Sequence, residues 1–386
     1  MIPKFKKMDW PIVFILAVFM ILSILLVHSG IAAWPSFKGA DKRMLYYYIL
    51  GFAVFFGVAI VDYRVLFKYY LYILGFGLAL LVLVIFIGGT VNGAQGWLKV
   101  PVIGLSLQPA ELFKLILIIT LTSLLVRKYN ARLLFWRNVV PLTLATMIPF
   151  GLVMIQNDMG NALSYLVILL GLLWVGNLKY SHALILLVVM AATIIVGIKS
   201  YVTFHDQIEA AVKGTSREHW LQRIDPWLMP EKASKDAAYH TRNAKLAIAS
   251  GGLMGKGYMK GDSVQNARVP YTYSDSIFVV VGEEFGFIGA SVLLLLYFIL
   301  IHRMILISLE TRDRRGPFLI VGIVAMFLYQ IFENIGMFIG LMPLTGITLP
   351  FISYGGTSLL INMMSMGIVM SVKLHGKDTE PEELPS

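Results

Sequence analysis

This sequence predicts an all-α integral membrane protein of about ten transmembrane helices, and three observations carry that reading. Of the 386 residues, 58% are hydrophobic and 14% charged, whereas a soluble domain carries about 25% charged residues. Several apolar runs exceed the ~18 residues that read as a spanning helix. Those runs are continuous rather than alternating, so their backbone groups are satisfied within helices and not between the strands of a barrel.

The segments read as spans are 11–28, 44–61, 69–88, 109–126, 138–155, 160–177, 182–199, 277–301, 317–340 and 351–372. The first follows Met1-Ile-Pro-Lys-Phe-Lys-Lys7 and lacks a small-residue cleavage site, so it reads as a retained helix and not a signal peptide. Lys and Arg gather in alternate segments: Lys4, Lys6, Lys7; Arg64, Lys68; Arg127, Lys128, Arg132, Arg137; Lys179; Arg303, Arg312, Arg314, Arg315; and Lys373, Lys377. The short loops of the other phase hold only Lys38, Lys42, Arg43 and Lys99. This asymmetry places both termini in the cytoplasm and makes the number of spans even. The net charge of +10 is dispersed between spans, which fits topology and anionic headgroups and argues against nucleic acid. With no cysteine, a disulfide framework or thiol metal site is excluded.

Residues 1–386 read as one polytopic domain with two non-membrane parts. Residues 377–386 form a polar tail expected to be disordered. Residues 200–276 form a large extracytoplasmic loop between the seventh and eighth spans. Loops of this length are usually functional or disordered. Its amphipathic piece Phe204–Trp220, its Trp and Tyr residues and the glycine run Gly251–Gly261 predict a folded cap on the membrane surface. The glycine run does not follow a strand or end in G-K-S/T, so a nucleotide-binding reading fails. The histidines are scattered without metal-ligand spacing, and no internal repeat of the transporter kind is visible.

Ionisable groups at membrane depth are costly and usually functional. Glu111 and Lys114 share one helical face, either as a structural ion pair or with Lys114 facing a cavity for an anionic headgroup. Asp158, in Gln156-Asn-Asp-Met-Gly160, reads either as a helix cap or as part of a cavity-lining broken helix paired with Lys114. Glu283 and Glu284 point in different directions and read as hydrated near headgroup level, while Glu333 and Asn334 read as hydrogen-bonding inside the bundle. Asp275 stands at the mouth of the eighth span. Residue statistics make it an N-cap; its place under a polar cap is also where a general base would act on a lipid-linked substrate.

Six stretches, in order, resemble the SEDS family (shape, elongation, division and sporulation). They are Asn92-Gly-Ala-Gln-Gly-Trp-Leu98, Gln108-Pro-Ala-Glu-Leu-Phe-Lys114, Gln156-Asn-Asp-Met-Gly160, Ala249-Ser-Gly-Gly-Leu-Met-Gly-Lys-Gly257, Asp275-Ser-Ile-Phe278 with Gly282-Glu-Glu-Phe-Gly-Phe-Ile-Gly289, and Pro343-Leu-Thr-Gly346 with Leu349-Pro-Phe-Ile-Ser-Tyr-Gly-Gly356. Two departures stand out. Asn157 replaces the Pro of the family's Q-P-D, and Pro270-Tyr-Thr-Tyr-Ser274 lacks the Glu and His of its P-E-x-H-T. Within the family the chain resembles the RodA branch through Phe332-Glu-Asn-Ile-Gly-Met337 and the lack of a long N-terminal extension.

The resemblance implies a peptidoglycan glycosyltransferase of the bacterial cytoplasmic membrane. It would polymerise lipid II into glycan strands during elongation, with a divisional or sporulation role as the alternative within the family. It implies Asp275 as catalytic base and a substrate-binding set of Glu111, Lys114, Asp158, Trp97, Gln108, Lys256, Ser353 and Tyr354. It further implies a divalent cation (Mg or Mn), a class B penicillin-binding protein as transpeptidase partner, and the elongation or division machinery around both. A lipid flippase is the rival from another class, since it needs the same cavity; the one-sided cap favours chemistry on that face.

Overall fold

The computed structural model describes residues 7–91, 94–100, 105–126, 133–215 and 218–376. The long helices are α1 Trp10–Gly30, α2 Ala40–Ile60, α3 Tyr70–Ile87, α4 Pro109–Val126, α5 Val140–Ile155, α6 Met159–Val175 and α7 Tyr180–Thr203. The cap carries α8 His205–Val212, α9 Glu218–Leu228 and α10 Lys235–Gly251; the bundle closes with α11 Gly286–Glu310, α12 Arg315–Ile339 and α13 Gly356–His375. Among the described residues nine helices are long and apolar enough to cross a membrane, and α6, at 17 residues, is a shorter apolar tenth. The all-α membrane reading therefore holds, and each expected span has its helix. Residues 377–386, Arg127, Lys128 and Arg132 lie outside the described residues.

Position in the bundle follows composition. In α4 and α13, 83% of the apolar window is buried, and in α12 78%, so these three form the centre; none of the α7 window is buried. Close helix approach at the centre needs small residues. A Cβ built on Gly322 of α12 would lie 2.6 Å from Ile118 Cγ2 of α4. The first helix starts where Asp9 accepts from the Ile12 amide at 3.4 Å with Pro11 in the first turn. Both ends of the described chain meet at one face. Asp9 pairs with Arg303 on α11, and its amide donates to Met370 Sδ of α13 at 3.4 Å. On that face Asp313 binds Arg64 Nε at 2.9 Å and the Tyr63 hydroxyl at 2.7 Å.

Three features differ from the sequence reading. A small antiparallel sheet, β1 Gly89–Val91, β2 Ala94–Val100 and β3 Leu105–Leu107, occupies what read as a plain loop. β1 and β3 have three residues each, and the seven of β2, Ala-Gln-Gly-Trp-Leu-Lys-Val, do not alternate. The eighth span is longer, running from Ile277 to Glu310 through a π-helical turn at Val281–Phe285. The tenth begins at Gly356 and not near 351. The stretch 340–355 is apolar enough to read as helix, but Pro343 and Pro350 interrupt it and Phe351 takes φ +64°. Its carbonyls are satisfied from neighbouring helices: Ser23 Oγ donates to Ile352 O at 2.7 Å, Tyr48 to Phe351 O and Tyr297 to Pro350 O. Irregular backbone at this depth is tolerated only when enclosed by protein.

The 204–251 stretch carries three helices, with the amphipathic piece 204–220 split between α8 and α9. Gly255, at φ +78°, sits where a Cβ would lie 2.2 Å from Glu284 O, which ties the glycine run to the base of the eighth span. Replacing Gly322 with Leu should drive α4 and α12 apart, at a cost of about 1–3 kcal/mol. Thermal unfolding in detergent should show a lowered midpoint, and an unchanged midpoint would mean that the helices tolerate the separation.

Candidate active site

Residues 269–276 lead from the cap into the eighth span, and Asp275 is the last carboxylate before it. Asp275 is not a helix cap. The cap position of Ile277–Val280 belongs to Ser276, which makes no side-chain cap bond. Instead, Asp275 Oδ1 accepts from the Ser274 hydroxyl at 2.6 Å. Its carbonyl accepts from Asn334 Nδ2 at 2.8 Å, and the same amide donates to Ile347 O at 2.7 Å. Asn334 of α12 thus pins the Asp275 turn to the irregular 340–355 stretch, which bears out its reading as a bundle hydrogen-bonding residue. Gly346 takes φ +77°, and a Cβ there would lie 3.7 Å from Asp275 Oδ2. The positive φ, more than space, favours glycine at 346, and Gly346 puts no side chain against Asp275 Oδ2.

The other carboxylate of the site, Asp158, caps α6, accepting from the Asn161 amide at 3.1 Å. Its Oδ2 also accepts from Gln108 Nε2 at 2.7 Å and Asn161 Nδ2 at 2.8 Å. The expected pairing of Asp158 with Lys114 does not form: Lys114 Nζ lies 2.8 Å from Glu111 Oε2, both side chains buried. Spacing of i,i+3 on one helix makes that partner nearer than any across a loop. Asn157, before Asp158, has φ +63°, a conformation that proline's ring forbids, so the departure from the family's Pro has a backbone consequence. Gly160 presses on the 340–355 stretch, with a built Cβ 2.7 Å from Ile347. Tyr329 of α12 donates to Gly160 O at 3.2 Å, and Glu333 accepts from the Thr345 hydroxyl at 2.9 Å.

A cation that the motifs did not single out completes the site. Arg223, on cap helix α9, donates to Thr345 O at 3.3 Å, and its carbonyl accepts from the Leu344 amide at 3.3 Å. Burial pulls its pKa down, opposed by the charges of Asp158 and Asp275. Arg223 is therefore within electrostatic reach of both carboxylates, and a small, water-sized cleft lies beside it, lined also by Trp227, Lys245 and Met342. The available signal was an arginine on the polar face of an amphipathic stretch bounded by Trp220 and Trp227; nothing local set it apart from the other loop cations.

The remaining expected site residues fall into two groups. Tyr354 is at the site: its amide donates to Tyr273 O at 2.9 Å, its ring lies 6.2 Å from that of Tyr273, and the Arg43 guanidinium sits 5.7 Å over it. Trp97, on β2 opposite Gly89, is half-buried, and its neighbour Gly96 faces Gln108. Ser353 has a structural role, its hydroxyl accepting from the Leu349 amide at 2.8 Å. Lys256 is likewise committed, to Glu283 at 2.8 Å and Asp262 at 3.0 Å. Its pKa is raised, because those two carboxylates outweigh the opposing effect of burial. Glu283 and Glu284 are fully buried and not hydrated. Glu283 accepts from the Ser263 and Val264 amides at 2.9 and 3.0 Å, and Glu284 from the Ser29 hydroxyl at 2.6 Å and the Met259 amide at 3.1 Å.

The divalent cation implied by the resemblance finds no three-ligand set around Asp275. Among the described residues the group that could hold an ion is His205, Asp206 and Glu209, within 4.8 Å of one another. That group is on α8, where His205 already contacts Asp225 at 3.0 Å and Asp206 pairs with Lys232.

Comparison with known proteins gives a consistent result. The cell cycle protein family model uniting FtsW, RodA and SpoVE matches residues 7–378. Stage V sporulation protein E of Bacillus subtilis (strain 168) is 30% identical over 98% of this chain and 100% of its own length. The peptidoglycan glycosyltransferase MrdB of Escherichia coli (strain K12) is 32% identical over 93% of both chains. A chain in a solved peptidoglycan synthase complex, 26% identical, superposes with a TM-score of 0.76 over 96% of this chain and 99% of its own. With its spans, its cap and its Asp275 turn in the order of the family's motifs, the chain belongs to the FtsW/RodA/SpoVE family of membrane proteins, the SEDS family.

Proposed function

We propose that this protein polymerises lipid II into glycan strands for wall synthesis during cell elongation, working in the cytoplasmic membrane of a bacterium beside a class B penicillin-binding protein. The enzyme class, a peptidoglycan glycosyltransferase, rests on relatives of that name. The elongation role rests on the RodA-like stretch Phe332–Met337, and the partner on the likeness to a chain of a synthase complex. The observation that carries the reading is the grouping of Asp275, Asp158 and Arg223 around residues 344–347, under a cap and at one end of an apolar bundle.

The chemistry follows from that grouping. The 4-hydroxyl of the acceptor sugar attacks the anomeric carbon of the lipid-linked chain. The O4–C1 bond forms, the bond from C1 to pyrophosphate breaks, and the anomeric configuration inverts. Asp275 takes the hydroxyl proton; its Oδ2, against which Gly346 puts no side chain, is the accepting atom. Negative charge grows on the departing undecaprenyl pyrophosphate, and Arg223 is the cation in range, held through Thr345 so that it need not reorganise. Asp158 offsets that cation in the free enzyme and holds Gln108 across the site. A divalent cation, if bound, would add to the positive charge that Arg223 brings to the leaving pyrophosphate; among the described residues no three-ligand set stands around Asp275 to hold one.

Purified protein with its cognate transpeptidase, labelled lipid II and Mg²⁺ or Mn²⁺ should give glycan ladders on a gel. Asp275→Ala should lower the rate by at least about 10²-fold with the fold intact; equal ladders would remove Asp275 from the mechanism. The absence of ladders from wild type would favour lipid transport instead. Arg223→Ala should cost about 10²-fold in kcat, and Arg223→Lys less; a change confined to KM would make Arg223 a ground-state contact only. Removing one member of the buried ion pair, in Glu111→Met, should destabilise by about 3–5 kcal/mol, whereas Glu111→Met with Lys114→Met should be near neutral in stability. A stable double variant that polymerises normally would show that Lys114 is structural and does not bind substrate.

A further inference from the structure

The 270–274 stretch before Asp275 reads Pro-Tyr-Thr-Tyr-Ser and carries no histidine. Tyr273 is absorbed elsewhere, its ring stacked on Phe37 at 4.1 Å and edge-on to Tyr354 at 6.2 Å. The cap supplies an imidazole to the same turn. His240, in the second turn of α10, places Nε2 3.4 Å from the Ser276 hydroxyl, and its ring lies 6.1 Å from that of Phe338, near the end of α12. Ser276 is fully buried, and its contact with His240 is part-buried. The two serines that flank Asp275 thus have different partners: Ser274 donates to the carboxylate, and Ser276 faces His240.

We propose that His240 is a positioning residue for Asp275: a neutral imidazole, set over the 274–276 turn from the cap, that keeps the base orientated and lowers its basicity when protonated. This rests on the reading of Asp275 as general base. Two physical points support it. Burial holds the His240 pKa below the ordinary histidine value, against the pull of the Asp275 charge, so the ring is uncharged at neutral pH. A proton on it then puts a cation beside the carboxylate, which favours the ionised form and makes Asp275 a weaker acceptor. Since the ring belongs to the cap and the carboxylate to the bundle, the contact also makes cap seating a condition for a correctly set base.

The surrounding charges bear on this. Asp275 is on the turn itself. Arg223 is on α9 and Glu333 on α12, both helices packed against α10. Lys245 and Arg242 share the His240 helix. Asp262, Glu283 and Glu284 pack at the far end of α10, bonded to Lys256 and to loop amides. Of these carboxylates, Asp275 is the one whose charge pulls on His240.

The test is polymerisation of lipid II by the full-length protein with its transpeptidase, measured from pH 5 to 8 for wild type, His240→Gln, His240→Phe and Asp275→Ala. The wild-type rate should fall on the acid side through a step below pH 6.5. His240→Gln, which can still hydrogen-bond to Ser276, should lose that step and keep a rate within about tenfold of wild type at pH 7.5. His240→Phe should lose both the step and most of the rate, with a melting midpoint close to wild type. A step that persists in His240→Gln would overturn the proposal, as would wild-type rates in both histidine variants across the range. Full activity of Asp275→Ala would instead sink the reading of the base, and the two failures are therefore distinguishable.

Discussion

The site depends on one constraint: a stretch of chain at membrane depth that cannot be helical must find donors and acceptors in its neighbours. Residues 340–355 break the run between α12 and α13, and in a bilayer their open backbone groups would each cost several kcal/mol. Asn334 answers part of that need and builds the site in doing so, because one amide serves Ile347 O and Asp275 O together. Arg223 answers another part at Thr345 O, and Gly160 and Tyr329 fix the Asp158 turn against the same stretch. Satisfying the broken backbone and gathering Asp158, Arg223 and Asp275 are the same set of contacts.

The cap is held by a second device of the same kind. Two adjacent carboxylates, buried without partners, would be prohibitively costly. Here the glycine-rich run and the short helical turn Asp262–Gln265 after it wrap them, presenting the amides of Met259, Ser263 and Val264 and the ammonium of Lys256. Glycine at 255 is required since its backbone passes over Glu284 O too closely for any Cβ. The Gly-Glu-Glu motif and the glycine run, distant in sequence, form one joint between the cap and the eighth span. That joint carries α10, and with it His240, to the Asp275 turn.

These facts set what could be read from the sequence alone. Spans were legible because length and apolar continuity are local properties, and α1 to α7 fall within a few residues of expectation. The ion pair Glu111–Lys114 was legible because i,i+3 spacing fixes it on one helix. Asp275 was legible as a carboxylate at a span mouth, but its freedom from a capping role was not, since that depends on Ser276 taking the cap position one residue on. Gln108 reaches Asp158 across 50 residues of chain and Glu283 reaches Lys256 across 27, and Arg223 reaches Thr345 across 122 residues. Such pairings carry no periodicity to detect. The start of α13 was misplaced for the converse reason: Phe351 and Ile352 are as apolar as a helix interior, yet their carbonyls bind Tyr48 and Ser23.

The charge arrangement favours an arginine under the cap over a lysine in the bundle for the proposed reaction. Lys114 is fully buried against Glu111, and drawing it toward substrate would leave a lone carboxylate in low dielectric, a cost of several kcal/mol. Arg223 feels the charges of both Asp158 and Asp275, and its position under the cap leaves it already partly desolvated. A guanidinium also offers several donors in a fixed plane, which matches the oxygens of a pyrophosphate. In the proposed mechanism an arriving pyrophosphate would change the field on Asp158 and Asp275 together, so binding of the leaving group and the readiness of the base would be linked through one side chain.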